Sequence, residues 1–241
     1  MAIPEFYQER IIGGAVATTS EYPYSAVVLY ASNNVNFLPV CGGAILNNRS
    51  ILTCLSCWNS PNNHVNQMRA RVGSVNATAG GSLHVISRLI AHTNYDAWNQ
   101  DNNIGILRVS SIINFGTNVR PIQIATSNYV LADSQPVWAI GWGRTTATSQ
   151  NSEQLRAVQI RTINQARCQE AYGINFVTLN HLCSGWETGG RGSCLGDIGS
   201  PLIHNNILVG VTAYTFGCGD GNYPSVYIRV SRYATWIQNN A

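Results

Sequence analysis

The apolar positions of this chain fall into short runs cut by polar punctuation. SAVVLYA (25–31), GAIL (43–46), SILTC (50–54), HVISRLIA (84–91), NIGILRV (103–109), PVWAIGW (136–142), LRAVQIRTI (155–163) and NNILVGVTAY (205–214) are β-branched or alternating, and clusters of Gly, Asn and Ser separate them. Their recurrence about every dozen residues predicts an all-β sandwich or barrel. Two stretches carry a helical pattern instead. NQARCQEAYG (164–173) offers Asn164 as N-cap and Gly173 as stop, while SRYATWIQNN (231–240) offers Ser231 as cap and sets Tyr233, Trp236 and Ile237 on one face. The chain is therefore expected to end in a docking helix. The weakest pattern, NVRPIQIATSN (118–128), reads as the linker between two halves, and no repeat or low-complexity tract occurs.

At 241 residues there is room for one large β domain or two smaller ones. Charged residues are 10% of the chain, against about 25% in an average protein, and Asn, Gln, Ser and Thr take their place. A net charge of +3 with scattered arginines argues against nucleic acid or a polybasic membrane contact. No apolar run approaches the ~20 residues of a membrane span. The start, MAIPEFYQER, lacks the apolar stretch of a signal peptide and reads as a short pro-segment (1–10) or an expression leftover. All 14 basic side chains are Arg. Lys loses its charge near its pKa of about 10.4 and Arg does not, so the composition suits an alkaline fluid; lineage bias explains it equally well.

Seven cysteines stand at 41, 54, 57, 168, 183, 194 and 218, an odd count that leaves one thiol over and does not by itself fix the pairing. Cys54 and Cys57 form a C-x-x-C pair, but no second pair or nearby His completes a zinc set, so disulfides in a secreted protein are the better reading. There is no Gly-rich phosphate cradle and no calcium loop, hence no metal and no cofactor is expected. Asn48-Arg49-Ser50 and Asn76-Ala77-Thr78 are glycosylation sequons near predicted turns.

The segments RIIGG (10–14), CGGAILNNRSILTCLSC (41–57), DNNIGIL (101–107), WAIGWG (138–143), CSGW (183–186), CLGDIGSP (194–201) and YPSVYIRVSRYATWI (223–237) are the strongest signal in the chain. In this order and at these distances the sequence resembles the trypsin and chymotrypsin family of serine proteases, most of all the digestive trypsins of moth and butterfly larvae. The resemblance spans residues 10–241. It implies two six-stranded antiparallel β-barrels, one over 11–120 and one over 121–241 with a C-terminal helix, and a cleft between them. It also implies the pairs Cys41–Cys57, Cys168–Cys183 and Cys194–Cys218, leaving Cys54 as a buried free thiol on a core strand.

The family's chemistry needs a general base, an orienting carboxylate and a nucleophile. By the resemblance these positions hold Ser56, Asn103 and Ile198. Asp101 has the parity of Asn103 on a strand but sits some 6–7 Å along it. Ser193 and Ser200 flank the nucleophile position with no His implied beside them, and His64, His84, His92, His181 and His204 read as ordinary polar residues. The former oxyanion donors are the amides of Gly196 and Ile198. The former specificity pocket has Gly192 at its base, where a cation-selective member carries Asp, and Tyr214, Thr215 and Ser225 along its walls, which predicts a narrowed pocket. Strand addition of a peptide along 213–215 stays open to it. Arg10 before Ile11 resembles an activation cut, with Asp197 as the carboxylate that would receive the new ammonium; retention of RIIGG as uncut packing is the equal alternative.

Loss of one member of a catalytic triad costs about 10⁴–10⁶ in turnover. The sequence-based expectation is therefore a secreted, non-catalytic homologue in gut lumen or haemolymph. It would act by binding protein partners such as proteases, protease inhibitors or cell and microbial surface components, as regulator, cofactor, decoy or effector. The alternatives are a residual or repurposed serine-type hydrolase and a storage or structural protein.

Overall fold

The computed structural model describes residues 12–58 and 65–241. The edge strand β1 (Ala15–Val16) comes first. The strands β2 (Ser25–Tyr30), β3 (Leu38–Ile45), β4 (Ser50–Thr53), β5 (Met68–Val72), β6 (Ser82–Ala91) and β7 (Gly105–Val109) close an antiparallel barrel in the order β2-β3-β4-β7-β6-β5. After β8 (Gln123–Ile124), a second barrel is built from β9 (Pro136–Gly141), β10 (Arg156–Ile163), β11 (His181–Gly185), β12 (Pro201–His204), β13 (Ile207–Tyr214) and β14 (Ser225–Arg229). Its order is β10-β11-β14-β13-β12-β9, closed by pairing of β9 with β10; β1 is appended to β10, and β8 runs parallel to β13. This is the expected all-β, two-barrel, trypsin-like architecture.

The burial pattern explains why these runs become strands. β4, SILT, is buried at every position, and β2, SAVVLY, at all but its last, as expected of strands enclosed by a closed barrel. β5, MRARV, alternates: Met68, Ala70 and Val72 face the core while Arg69 and Arg71 point outward. Two arginines in five residues hide this strand from a reading based on apolar runs. β11, β12 and β14 are hidden in the same way, by polar or Pro starts inside the motifs.

The stretch 118–128 is more ordered than a free linker. The amides of Arg120 and Ile122 donate to Pro23 and Ile45 of the first half, and Gln123–Ile124 pairs with β13. Ile122 and Ala125 are buried. The chain thus crosses between the barrels while bonded to both.

Helix α1 (Gln165–Tyr172) begins as expected, because the Asn164 side chain accepts from the amides of Ala166 and Arg167, and it ends at Gly173, φ 93°. At the C-terminus the expected Ser231 cap is corrected. Ser231 lies inside a 3-10 turn, Val230–Tyr233, and makes no cap; α2 (Ala234–Asn240) follows it directly. Arg108 of β7 donates to the Asn240 carbonyl at 2.8 Å, and His92 packs its ring against Tyr233 and Trp236, so the helix of the second half is fastened to the first barrel. The side chains of Asn48 and Asn76 are exposed, whereas Ser50 is fully buried.

Asn164→Ala removes a working cap and is expected to lower unfolding free energy by about 1 kcal/mol, whereas Ser231→Ala should stay within about 0.5 kcal/mol. Urea denaturation of the two variants compares them directly; equal losses would contradict the assignment of the caps.

Candidate functional site

β4 pairs with β7 through Thr53 opposite Gly105, so the turn that leaves β4 and the turn that enters β7 end side by side. That register brings Ser56, in the 3-10 turn Leu55–Cys57, against Asn103. The Ser56 amide donates to Asn103 Oδ1 at 2.8 Å, and Asn103 Nδ2 donates to Ser56 Oγ at 3.0 Å and to Gln100 Oε1 at 2.7 Å. Asn103 is wholly buried and its amide is spent. Asp101 does not lie on a strand, as its parity suggested. It sits in the turn before β7, and its carboxylate accepts from Thr178 Oγ1 and Asn180 Nδ2, each at 3.0 Å. The turn is also tied to the terminal helix region, since Tyr233 donates to Asn102 Oδ1.

Ile198 comes from the other barrel, in the loop between β11 and β12. Its carbonyl accepts from the Gly42 amide at 2.8 Å, and the Gly42 carbonyl accepts from Thr53 Oγ1 at 2.7 Å. Gly42 follows Cys41, which is joined to Cys57, the neighbour of Ser56. A short chain of covalent and hydrogen bonds therefore brings positions 56, 103 and 198 together. Gly199, φ +81°, has no space for a side chain: a Cβ would meet Thr53 Oγ1 and the Gly42 carbonyl. Its amide donates to Thr212. Cys54 falls one residue past β4 rather than on it. It is fully buried, its thiol donates to the Thr212 carbonyl at 3.1 Å, and burial pushes that thiol up to about 12. It is a packed bridge between barrels, protected from ionisation.

The 194–200 loop is folded around Asp197. Its Oδ1 accepts from the Gly143 amide at 2.8 Å and its Oδ2 from the Cys194 amide at 2.9 Å. Burial raises its carboxyl to about 6, against the lowering effect of these two bonds. Arg10 and Ile11, the expected activation site, lie outside the described residues; the carbonyl of the next residue, Ile12, accepts from the Gly192 amide. The amides of Gly196 and Ile198 find no acceptor among the described residues, and the Asn151 side chain lies against Gly196.

Next to this loop is a cavity of about 90 Å³ lined by Cys194, Leu195, Ile198, Thr212, Tyr214 and Thr215. Gly192 and Ser225 are not in its lining. Ser225 is buried and its Oγ stands beside Gly192, 3.5 Å from where a Cβ there would lie. Tyr214 is held as a wall by donation to the Phe176 carbonyl at 2.6 Å and by an edge contact with Tyr172, and Thr215 Oγ1 turns away to Gly217. The remaining disulfides, Cys168–Cys183 and Cys194–Cys218, flank α1 and the loop.

Ser193 and Ser200 are both buried, and Ser193 Oγ bonds the Tyr227 hydroxyl. Of the histidines, His64 lies outside the described residues. His84 sits between Ser82 and Ser111, His181 reaches Gln100, and His204 bonds Tyr129; burial lowers the pKa of each. None of these three bonds Ser56. Residues that sequence reading passed over are Gly42, Gly143, Thr212, Gln100 and Asn151. The GG pair at 42–43 was a visible signal for close backbone approach; the others serve through backbone groups or long-range contacts that leave no local mark.

The sequence matches the family described as Trypsin over residues 11–237. It is 44% identical over 243 residues to "Trypsin, alkaline A" of Manduca sexta, covering 100% of this chain and 94% of that one. It is 46% identical over 244 residues to "Trypsin CFT-1" of Choristoneura fumiferana, with the same coverage of each. "Achelase-1" of Lonomia achelous is 43% identical over 238 residues, covering 96% of this chain and 100% of that one. These findings correct the expectation of a non-catalytic homologue that acts by binding, and with it the expectation that the chain is no enzyme: full-length relatives carry the names of trypsins, which points to a digestive protease. Ser56, Asn103 and Ile198 carry one hydroxyl, one amide and one alkyl group.

Asn103→Ala strands the Ser56 amide, and a loss of about 1–3 kcal/mol is expected in chemical denaturation; a neutral result would show that the pair carries no structural weight. For Asp197 in the uncut chain the folded pKa, about 6, lies above the unfolded 3.8. Its contribution is therefore fully present below the unfolded value and is lost as pH rises through about 6. Unfolding free energy of the native chain relative to Asp197→Asn should fall by about 3 kcal/mol between pH about 3 and about 7. A flat difference would contradict the burial of a carboxylate that has no cation beside it among the described residues.

Proposed function

Because this chain belongs to the trypsin family, we propose that it is a secreted digestive hydrolase of dietary polypeptide in insect gut fluid. The observation that carries this reading is the identity of 44–46% with named trypsins over the whole chain. Three disulfides fit an oxidising extracellular fluid. Among the described residues no helix is long and apolar enough to cross a membrane. The all-Arg basic set keeps its charge at alkaline pH, in keeping with relatives named "alkaline".

The geometry supports a particular form of this activity. Ser56, Asn103 and Ile198 do not provide the relay of base and nucleophile, so water itself attacks the bound carbonyl: its proton passes through a second solvent water to the amide nitrogen, and the C–N bond breaks to release a free acid and a free amine. The free amides of Gly196 and Ile198 are the donors suited to the developing oxyanion. Oxyanion donors and binding alone leave about 10³–10⁴ over the rate in water. Turnover is therefore slow by family standards. With Gly192 at the pocket base there is no counter-charge for Arg or Lys side chains, so substrate is held mainly through its backbone along 213–215. Extended polypeptides, and inhibitors that imitate them, are the partners this cleft fits.

Purified protein treated with a serine-directed fluorophosphonate, which silences any contaminating relative, is expected to hydrolyse casein-derived peptides with saturable kinetics. The variant Ser56→His/Asn103→Asp/Ile198→Ser should gain at least about 10³-fold in kcat. Hydrolysis no faster than buffer would overturn the proposal, and a variant no faster than the native chain would overturn the assignment of the three positions.

A further inference from the structure

A second groove, of about 540 Å³, lies away from the cleft between the segment before β2 and the outer face of the second barrel. Its floor is Trp138, 38% exposed, which stands opposite Gln159 of β10 and Ile203 of β12 in the sheet register. Cross-strand partners share a face, so the indole and the Gln159 amide point to the same side. Tyr22 stands over them with its ring 6.4 Å from that of Trp138 and tilted 46° to it. The far rim is the hairpin tip Asn205-Asn206, whose φ values of 49° and 60° belong to a tight two-residue turn. We propose that this groove binds a neutral oligosaccharide.

Three observations select that ligand class. The polar groups facing the groove are unspent: the Trp138 indole N–H, the Tyr22 hydroxyl and the amides of Gln159, Asn205 and Asn206 have no hydrogen-bond partner among the described residues. No basic side chain lines the groove, and the one acid, Glu21, is engaged by the Thr18 amide and hydroxyl. An anionic ligand therefore finds no counter-charge. A pyranose presents an apolar C–H face to an aromatic ring and equatorial hydroxyls that both donate and accept, which is the pairing that amides and an indole N–H satisfy. An apolar peptide would leave those groups unpaired.

The platform sits on paired strands and a tight hairpin, so little ordering is needed on binding. β12 leads from the Ile198 loop to the groove, and the groove shares no lining residue with the cavity beside that loop. A sugar held there leaves the cleft open. The groove would moor the protein to a polysaccharide without touching its hydrolytic site, and binding does not depend on whether that site turns over.

Calorimetric titration of the full chain with cellohexaose, chitohexaose, mannohexaose, an oligogalacturonate and a neutral hexapeptide tests this. Saturable binding of at least one neutral hexasaccharide is expected, with Kd on the order of 10⁻⁵–10⁻³ M. Trp138→Ala should weaken it at least 10-fold and Gln159→Ala about 3-fold, with unfolding temperature and peptide hydrolysis unchanged. Should Trp138→Ala fail to fold, Trp138→Phe, which keeps an aromatic face but not the N–H, together with the exposed Gln159→Ala, carries the test. No neutral saccharide bound at millimolar concentration, tighter binding of the galacturonate or the peptide, or binding indifferent to both positions would overturn the proposal.

Discussion

One buried carboxylate shapes the functional end of this molecule. Asp197 lies in the interior with a backbone amide on each oxygen, from Gly143 and Cys194, and no cation among the described residues balances it. An ion taken from water costs several kcal/mol unless its partners are well placed, so the segments that supply those amides are held where they stand. Gly141 and Gly143 follow from this, because a Cβ at either position would run into the Asp197 carboxylate. The loop carrying Gly196 and Ile198 is thus organised by the residue between them, and its backbone amides are kept in place without help from the side chain at 198.

The second constraint joins the barrels. Gly42 holds the Ile198 carbonyl, Cys54 reaches Thr212, and the terminal helix returns to β7 through Arg108. The first two of these contacts use backbone groups and one small side chain, which fix a spacing more tightly than long flexible pairs would. Ser56 and Asn103 then meet because β4 and β7 are in register. The cleft is a product of barrel closure, and its chemistry is set by which side chains occupy it.

Strands with unbroken apolar or β-branched runs, such as β2, β4 and β13, were legible because burial on all sides demands such residues. β5 was not, since Arg69 and Arg71 occupy its outward positions, and neither was β12, which opens on Pro201. Asn164 was a sound cap because its side chain has amides to meet; Ser231 had the right chemistry, but the chain enters α2 through a 3-10 turn that leaves no vacant amide for it. At the site, the motifs pointed to Ser56, Asn103, Ile198 and the Asp197 turn, and Ser56 and Asn103 meet in the structure. The motifs could not show that Asp101 is spent on Thr178 and Asn180, or that Ser225 stands beside Gly192, because both depend on contacts distant in sequence. The sequence-based reading of the chain as no enzyme weighed three side chains alone. The relatives named trypsins over the whole chain overturn it.

The dependence of the loop on Asp197 can be read at the two amides themselves. Hydrogen exchange of Gly143 and Cys194 N–H in the native chain should proceed only through large openings, with protection close to that of the barrel strands. It should collapse in Asp197→Ala and persist in Ile198→Ala. Rapid exchange of both amides in the native chain, or protection untouched by loss of the carboxylate, would contradict a loop built around Asp197.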